Sequence, residues 1–468
     1  MRLNDTILEK NSGQSDGQSP QPLVVPRDGH PISRANISPN ALKVLYRLKD
    51  AGYQAFLVGG AVRDLLLGLN PKDFDVATNA HPEQVKQLFR NCRLIGRRFH
   101  LAHVRFGYEI IEVATFRAAH TPMDEDNAVD EGGHRVLDDR GRILRDNLYG
   151  TIEEDVWRRD FTANALYYNI EDFSIWDYVG GVADARAKVM RLIGDPETRY
   201  REDPVRMLRA VRFAAKLGFS IHPETAAPIH KLAGMLDSVP PARLFDEINK
   251  LFLAGSAAKA FEVLGQYGLI EHLFPDLAAA ARETPDSVAM KLLRLGLAGT
   301  DERVRADKSV TPTFLFAVLL WPAISRVFQR LPGSDLTDME RALTACDQVI
   351  ARQQTRIAVP KRFTLPLREI IAMQPRFDLR SGRRALRLLD HPRFRAAYDF
   401  LLLRAAAGGV EQELADWWTE IQTLPPEERI ARVEQRPAGD DGAAQGGTPN
   451  SGSGRRKRRR RRRATRSG

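Results

Sequence analysis

Two aspartates one residue apart, Asp73 and Asp75, are the side chains of this sequence whose type and spacing best suit chemistry. Alternate side chains of a strand share one face, so the two carboxylates would lie side by side while Phe74 points into the core. Adjacent carboxylates repel each other unless a cation lies between them. Mg²⁺ is the natural candidate because it takes oxygen ligands from one or two carboxylates and from substrate phosphates.

Gly59 and Gly60 precede this pair, after an apolar, β-prone segment and before a helix that should begin near Ala61. A strand, two glycines and a helix N-terminus let backbone N–H groups approach a phosphate closely, and the helix dipole favours the anion. An isolated Asp-x-Asp is more often an exposed turn, but a phosphate-binding turn just before it favours metal-assisted chemistry on a phosphate.

Glu112 lies in a further strand-like run, Glu109 to Thr115. As a third carboxylate on a neighbouring strand it could complete a metal site. It could equally be a surface glutamate on an edge strand. The sequence leaves both interpretations open.

The segment from Glu153 to Asn169 has helical periodicity and carries two further polar groups. Asp160 and Asn164 are four residues apart, so on a helix they would project from one face. Arg158 and Arg159 lie beside them and could bind a triphosphate or a ribose. Taken alone, the segment is also compatible with an ordinary surface of ion pairs.

A third group of polar residues opens another predicted helix. Asp203 followed by Pro204 is a strong helix start, with the aspartate as N-cap. An arginine recurs every three residues along the same helix, at Arg206, Arg209 and Arg212. Such a ridge needs an anion beside it, which could be a substrate or simply acidic neighbours such as Glu202 and Glu224.

In order and separation, these motifs resemble those of the polymerase-β-like nucleotidyltransferase superfamily: GG…RDLLLG…PKDFD, RRDFTAN and EDPVR. Within it the match is to the branch that contains bacterial poly(A) polymerases and CCA-adding enzymes. The resemblance covers roughly residues 40 to 405 and is densest from 55 to 219. It implies template-independent addition of nucleotides to RNA 3′ ends, with two Mg²⁺ ions and a nucleoside triphosphate.

The resemblance also implies a role for each matching residue. Asp73 and Asp75 would bind the metal ions, and Asp160 would be a third catalytic aspartate. Asp203 and Arg206 would read the Watson–Crick edge of the incoming base, so that no nucleic-acid template is needed. The residues expected to bind the nucleotide are Gly59, Gly60, Arg63, Arg158, Arg159, Asn164, Asp203, Arg206, Arg209 and Arg212.

Further features favour the poly(A) polymerases, with ATP as substrate, over the CCA-adding enzymes. The segment LIGRRFHLAHV, from Leu94, resembles a stretch that marks the poly(A) polymerases, although His100 stands where many relatives carry Arg or Lys. The Arg-rich helices of the C-terminal half also resemble theirs and would bind single-stranded RNA. The residues expected to contact RNA are Arg383, Arg384, Arg387, Arg393, Arg395, Arg458 and Arg460. The alternatives are a CCA-adding enzyme and a non-catalytic RNA-binding adaptor on the same fold.

The elements that position these residues form an α+β chain: a nucleotidyltransferase head with a mixed sheet, then helices throughout. The sequence predicts a disordered leader at 1–38, the head at 39–181 and a helical neck at 182–255. A helical, Arg-rich body follows at 256–425, and a disordered basic tail at 426–468. A polar insertion, 118–145, interrupts the head and is expected to be a mobile loop.

The net charge of +10 comes from the end of the chain. The segment 455–466 alone contains ten Lys and Arg residues and no acid, so the rest of the sequence is neutral. A solvated run of like charge is expected to seek polyanions such as RNA. RNA chaperones, helicases or degradosome components are compatible partners that the sequence does not specify.

The remaining composition indicates a cytoplasmic protein. The two cysteines, Cys92 and Cys346, are far apart and in no metal or redox spacing, which is typical of a reducing compartment. The polar N-terminus lacks the apolar core of a signal peptide. The longest apolar run, from Phe314 to Ile324, is too short to cross a bilayer, so we expect no integral membrane segment.

Overall fold

The computed structural model describes residues 21–96, 100–118, 149–332 and 336–434, with the backbone alone of 136–137 and 143–145. Twelve strands lie in this part of the chain: β1 (Leu23–Val25), β2 (Ala55–Val58), β3 (Asp75–Thr78), β4 (Cys92–Ile95), β5 (Leu101–Phe106), β6 (Glu109–Thr115), β7 (Val136–Leu137), β8 (Ile143–Arg145), β9 (Leu166–Asn169), β10 (Ile175–Asp177), β11 (Val189–Met190) and β12 (Ser220–Ile221).

Eight of these strands form one mixed sheet in the order β1-β10-β9-β2-β3-β6-β5-β4. Neighbours are antiparallel except for β3 and β6, which are parallel. The central strand β2 is buried at all four positions, as its apolar sequence requires. The mixed sheet confirms the α+β prediction for the head.

Four helices of the head pack around this sheet: α1 (Pro39–Asp50), α2 (Gly60–Leu66), α3 (Pro82–Leu88) and α4 (Ile152–Arg158). Helix α1 begins where the Ser38 hydroxyl accepts a hydrogen bond from the Asn40 N–H. Its apolar stripe, including Val44 and Leu48, is buried.

The chain after the sheet is helical, as the sequence predicts. The helices that follow β10 up to Phe252 are α5 (Gly181–Ala187), α6 (Pro196–Glu202), α7 (Val205–Leu217), α8 (Pro223–Ala226), α9 (Ile229–Leu232) and α10 (Pro241–Phe252). Those beyond it are α11 (Ala257–Gln266), α12 (Ile270–Leu273), α13 (Pro275–Glu283), α14 (Val288–Arg305), α15 (Pro312–Arg330), α16 (Asp338–Gln354), α17 (Lys361–Met373), α18 (Gly382–Leu389), α19 (Phe394–Ala407), α20 (Gln412–Thr423) and α21 (Pro426–Glu434).

Helix α15 is the apolar centre of the body. It is long and apolar enough to cross a membrane by length and composition. Its residues Leu315 to Leu320 are nevertheless all buried, and it packs against α13, α14, α16 and α17. The helix therefore fills the core of the body, as a buried helix does in a folded domain.

Parts of the two segments predicted to be disordered, the leader and the tail, are folded where the structure describes them. Residues 21–38 belong to the head: Leu23–Val25 pairs with β10, and Ile32 and Ile37 are buried. At the other end, helix α21 packs against α18 and buries Val433. Short apolar groups among Pro and charged residues were enough to anchor these segments. The structure does not describe residues 1–20 or 435–468. Of the insertion it describes only Ala118, β7 and β8.

Candidate active site

The aspartate pair lies at the start of strand β3. Asp75 is its first residue, and Asp73 comes two residues earlier. Both are exposed, whereas Phe74 between them is buried, so the two carboxylates alternate with a core side chain as the sequence predicts. In the sheet, Asp75 is opposite Val58 on β2 and Glu112 on β6.

The surroundings of Asp75 disfavour its ionised form. The enclosing protein removes part of its hydration, and the negative charges of Glu112 and Asp73 add to this effect. Together they raise the pKa of Asp75 to about 6, although the charge of Arg159 opposes the shift. Asp75 remains open to solvent, so a cation can reach it and relieve this unfavourable charge.

The donor set fits Mg²⁺. Glu112, whose Oε1 lies 3.3 Å from His103 Nε2, adds negative charge beside Asp75. Among the described residues there is no ready-made group of three or more His, Cys, Asp or Glu side chains that could hold a metal ion. A pair of carboxylates that leaves the remaining ligands to water and phosphate is the arrangement that Mg²⁺ favours.

The two glycines turn the chain between β2 and α2 as expected. Gly59 has φ +73°, which side-chain-bearing residues rarely adopt, and is the N-cap of the helix. A Cβ at Gly59 would lie 3.7 Å from Nη1 of Arg159, so this turn faces that arginine. The turn thus lies beside a guanidinium nitrogen, a group that can pair with phosphate.

Arg63, expected to bind the nucleotide, is instead 4% exposed. Its guanidinium binds the Asp64 carboxylate with Nε and Nη2, and its Nη1 donates to the side chain of Asn164. The Phe213 ring of α7 lies 5.9 Å from the guanidinium carbon. These contacts place Arg63 between the head and α7, where it positions Asn164.

Arg159 is held by two buried residues that the sequence did not single out. Its Nε donates to the Tyr167 hydroxyl at 2.7 Å, and its Nη2 lies 3.0 Å from Asp155 Oδ2. The Tyr167 hydroxyl in turn donates to the same carboxylate oxygen at 2.6 Å. This network fixes Arg159 beside Gly59. Arg158 points elsewhere and donates to the Ala118 carbonyl at 2.8 Å.

The predicted helix over Glu153 to Asn169 is wrong beyond Arg158. Helix α4 ends there, Phe161 bridges to Leu192, and residues 166–169 form β9. The aromatic and apolar residues at 165–168 fit the buried sheet better than a continued helix. Asp160 and Asn164 therefore do not share a helix face, although both still lie at the junction of the head and α7.

Asp160 faces the arginines of α7. Its Oδ1 lies 3.1 Å from Nε of Arg206, and its Oδ2 lies 2.5 Å from Nη2 of Arg209. Arg206 also donates to Glu202 at 2.9 Å. Asp160 thus neutralises part of the positive charge of the arginine ridge. The sequence analysis did not predict this pairing.

Arg212, the third arginine of the ridge, is more enclosed. Burial and the nearby charge of Arg209 lower its pKa, and its guanidinium carbon lies 4.6 Å above the Phe213 ring. Its buried Nε has no hydrogen-bond partner in the described part of the chain.

Asp203 uses its two carboxylate oxygens differently. Oδ1 accepts the Val205 N–H at 3.2 Å and so caps the start of α7, while Oδ2 lies 2.7 Å from Nη2 of Arg243. The capping role predicted for Asp203 is thus observed, and its second oxygen is paired with an arginine of another helix. Arg243, on α10, was missed because it is 40 residues away in the sequence and belongs to no motif.

The arginines expected to bind RNA are exposed where they are described. Arg383, Arg384 and Arg387 project from α18, and none of them forms an ion pair with a described residue. Arg393 and Arg395 pair with Glu369 at 3.2 Å and Asp399 at 2.9 Å. Arg458 and Arg460 lie outside the described residues.

One cavity of the described chain lies away from this site. It has a volume of about 670 Å³ and lies in the body, where Trp321, Gln374 and Arg404 line it. No residue of the carboxylate pair or of α7 borders it. We therefore locate the candidate active site by its chemistry, at the aspartate pair, the Gly59 turn and Arg159.

Family models match most of the chain. The model "Poly A polymerase head domain" matches residues 55–191, "Probable RNA and SrmB- binding site of polymerase A" matches 218–281, and "Polymerase A arginine-rich C-terminus" matches 334–464. Among solved structures, a "tRNA-processing enzyme (apo form I)" has a TM-score of 0.55 at 21% identity over 86% of this chain and 99% of that one. Another, a "tRNA nucleotidyltransferase complexed with a primer tRNA and an incoming ATP analog", has a TM-score of 0.52 at 21% identity over 81% and 98%. These likenesses show the fold.

Fold and family models together define a polymerase-β-like nucleotidyltransferase. Poly(A) polymerase I of Escherichia coli O6:H1 is 50% identical over 92% of this chain and 93% of its own length. The Haemophilus influenzae enzyme of the same name is 46% identical over 86% and 89%. A CCA-adding enzyme of Lactobacillus gasseri is 36% identical over only 50% and 54%. The chain belongs to the bacterial poly(A) polymerase family.

Proposed function

We propose that the protein adds AMP from ATP to the 3′ ends of single-stranded RNA without a nucleic-acid template. The 3′-hydroxyl oxygen would attack the α-phosphorus in line, the bond to the β-phosphate oxygen would break, and pyrophosphate would leave while the hydroxyl proton passes to solvent. The observation that carries the proposal is the solvent-open pair Asp73 and Asp75 beside the Gly59 turn and Arg159. Such RNA tailing would promote RNA processing and decay.

The protein's own groups would position the triphosphate. Gly59 and Gly60 would present the start of α2 to its phosphates, and Nη1 of Arg159 would meet the same charge from the side. Because Asp155 and Tyr167 already fix Arg159, little reorganisation would be needed when the nucleotide binds.

Asp73 and Asp75 would hold Mg²⁺, whose chemistry is to lower the pKa of a bound hydroxyl and to neutralise phosphate charge. Glu112 is proposed as an additional ligand or as a group that tunes Asp75 through its charge. Asp160 would keep Arg206 and Arg209 in place beside the incoming nucleotide.

The route of the RNA would follow the exposed arginines of α18 toward the head. A basic surface binds RNA phosphates without reading sequence, which suits an enzyme that tails many RNAs. We also propose a cytoplasmic location. RNA chaperones, helicases or degradosome components are proposed as recruiting partners.

Nucleotide incorporation tests the function directly. Each labelled NTP is offered singly and in mixtures, with Mg²⁺, to an unstructured RNA and to a tRNA that lacks its 3′ end. We expect long A-tracts from ATP alone on the unstructured RNA. Addition that stops after C, C and A on the tRNA would make the protein a CCA-adding enzyme. No incorporation by folded protein would favour an RNA-binding adaptor.

The same assay tests the aspartate pair. Asp73→Ala and Asp75→Ala should each lower incorporation by at least about 10³-fold, because the metal ligands are lost, while RNA binding in a filter assay stays unchanged. Asp50→Ala, at an exposed aspartate that ends α1, is the matched control and should keep full activity. Retained incorporation by the Asp73/Asp75 double variant would disprove the assignment.

A further inference from the structure

The cavity of the body, which the proposed reaction does not use, has the volume and the lining of a ligand site. Its 670 Å³ lie within the range of small-molecule sites in proteins. Residues of α15 and α19 line it, together with the 3-10 turn Gln374–Asp378 that leads from α17 toward α18. Charged side chains from all three of these elements border the cavity.

Arg404, on α19, carries a positive charge that its neighbours compensate only in part. Its Nη1 donates to Oε1 of Gln374 at 3.3 Å, and its Nε and Nη2 have no hydrogen-bond partner among the described residues. Burial lowers the pKa of Arg404 to about 10, although the charge of Asp378 opposes this shift. Arg404 therefore offers free donors and a positive charge to a ligand in the cavity.

Asp378 presents two acceptor oxygens to the same cavity. Its carboxylate forms no hydrogen bond and no ion pair with the described residues. Burial raises its pKa, and the charges of Arg404 and Arg380 oppose this shift, so Asp378 and Arg404 lie near each other without being paired. A ligand that accepts from Arg404 and donates to Asp378 would satisfy both groups.

Trp321, on α15, adds an aromatic wall beside these two groups. The guanidinium carbon of Arg404 lies 5.6 Å from the centroid of the Trp321 ring. The Phe400 ring meets Trp321 edge to face, with the centroids 5.2 Å apart, and so supports it. Flat nucleobases pack well against aromatic rings and guanidinium planes.

Further along α15, the cavity has a surplus of positive charge. Nε of Arg326 and Nη2 of Arg330 bind the same Glu283 carboxylate, at 2.7 and 3.0 Å, so two cations share one anion. Arg326 is five residues from Trp321, which is about 7.5 Å along a helix. A single nucleotide can span that separation, with its ring at Trp321 and its phosphate at Arg326.

We propose that this cavity binds a guanine nucleotide, either free or as a guanosine within a bound RNA. Guanine presents two adjacent N–H donors, its ring N–H and its amino group, to the two oxygens of Asp378. Its carbonyl oxygen accepts from Arg404. Adenine, cytosine and uracil each have a single donor group on that edge and would leave one Asp378 oxygen unpaired. The phosphate lies toward Arg326 and Arg330.

The position of the cavity allows both sources of guanine. Helix α18 begins at Gly382, four residues after Asp378, and Arg383 and Arg387 on it are exposed. An RNA whose phosphates contact α18 can therefore place a base in the cavity, and this source rests on the function proposed above. A free nucleotide needs no such path.

Equilibrium binding of GMP and of AMP to the full chain tests the site. Saturating ATP and Mg²⁺ are present without RNA, so that the active site is occupied. We expect GMP to bind at least about tenfold more tightly than AMP. Asp378→Asn should weaken GMP binding by about tenfold, because one acceptor oxygen is lost. The control Asp390→Asn removes an exposed aspartate outside the cavity and should leave GMP binding unchanged.

Arg404→Gln provides a second variant and should also weaken GMP binding by about tenfold. If it fails to fold, Asp378→Asn decides the question, because Asp378 is exposed and its replacement keeps the shape of the side chain. Equal affinities for GMP and AMP, or unchanged GMP binding by Asp378→Asn, would overturn the inference.

RNA binding then identifies the source of the guanine. A filter assay compares oligo(A) with the same oligomer carrying one guanosine at successive distances from its 3′ end. Severalfold tighter binding at one distance, lost in Asp378→Asn, would identify a guanosine of the RNA. GMP binding with no effect of guanosine at any distance would identify the free nucleotide.

The two proposals fail separately. A protein that makes poly(A) but binds no GMP would overturn this inference alone. A protein that binds GMP but incorporates no AMP would overturn the proposed function.

Discussion

Asp75 combines solvent access with an unfavourable charge, and this combination has a consequence for stability. Its pKa in the folded protein is about 6, above the usual 3.8, because of lost hydration and the charges of Glu112 and Asp73. The folded state therefore binds the proton more tightly than the unfolded chain does. The cost of ionising Asp75 appears as the pH rises above 3.8 and is complete above about 6.

We expect Asp75→Asn to stabilise the protein in the absence of divalent ions. At pH 7 the free energy of unfolding should rise by roughly 1 kcal/mol, a value reduced for the exposure of the side chain. The gain should largely vanish at pH 4, where Asp75 is protonated in the fold. Urea denaturation at the two pH values, with EDTA present, measures both effects.

Adding Mg²⁺ provides the control for this prediction. The ion should stabilise the wild type at pH 7 and have little effect on Asp75→Asn, because one of the two carboxylate ligands is gone. A variant that is less stable than the wild type at pH 7 without Mg²⁺ would contradict the electrostatic account of Asp75.

Local spacing was sufficient to identify the carboxylates but not their partners. Asp73 and Asp75 alternate about a buried phenylalanine, and Asp203 caps α7 as its position before a helix predicts. Arg63 was expected at the nucleotide, yet its contacts to Asp64 and Asn164 bury it. Arg243 had no local signal at all, because only the packing of α10 against α7 brings it to Asp203.

At the scale of elements, the turn between β2 and α2 has a backbone conformation that favours glycine, and it lies next to the Arg159 side chain. Gly59 has φ +73° and faces Nη1 of Arg159. Gly59→Ala should destabilise the protein by about 1–2 kcal/mol, because a Cβ is strained at this φ. It should also raise the KM for ATP several-fold, because the new methyl group lies between the turn and Arg159. Thermal unfolding and steady-state kinetics check the two effects separately.

Gly68, at the other end of α2, is the matched control. It has φ +72°, but a Cβ there would meet nothing within 4 Å. Gly68→Ala should therefore cost a similar stability while leaving the KM for ATP as in the wild type. An equal rise in KM for both variants would mean that strain, rather than the approach to Arg159, explains the effect.

Element boundaries were less predictable than element types. The helical period of Glu153 to Arg158 continues by chance into residues that form β9. These residues belong to the sheet because Tyr167 and Tyr168 fill its buried faces. Strand β1 was missed because three apolar residues among prolines carry almost no periodicity. In both cases the partner strand, which lies far away in the sequence, decided the outcome.

For the whole molecule, the distribution of charge matters more than its sum. The chain outside 455–466 is neutral, yet α18 displays Arg383, Arg384 and Arg387, which form no ion pair with the described residues. We expect the double variant Arg383→Gln/Arg387→Gln to weaken RNA binding several-fold at about 0.1 M salt. The slope of log affinity against log salt should fall by up to about 1.4, from roughly 0.7 for each lost phosphate contact on a single strand.

The control removes two positive charges that already have acidic partners. In Arg201→Gln/Lys259→Gln, the lost cations were paired with Glu197 and Glu262. Net charge changes equally in both double variants, so the salt slope should respond only when α18 is altered. Equal slopes for the two double variants would remove α18 from the RNA path.

The pairing of β1 with β10 also has a consequence for the time course of synthesis. Leu23 is opposite Asp177, so during translation β1 must wait for on the order of 150 further residues before its partner exists. The head sheet therefore cannot be completed during the early phase of translation. Until then the three apolar residues of β1 remain uncovered, and a fusion or chaperone that occupies them would delay the sheet's closure.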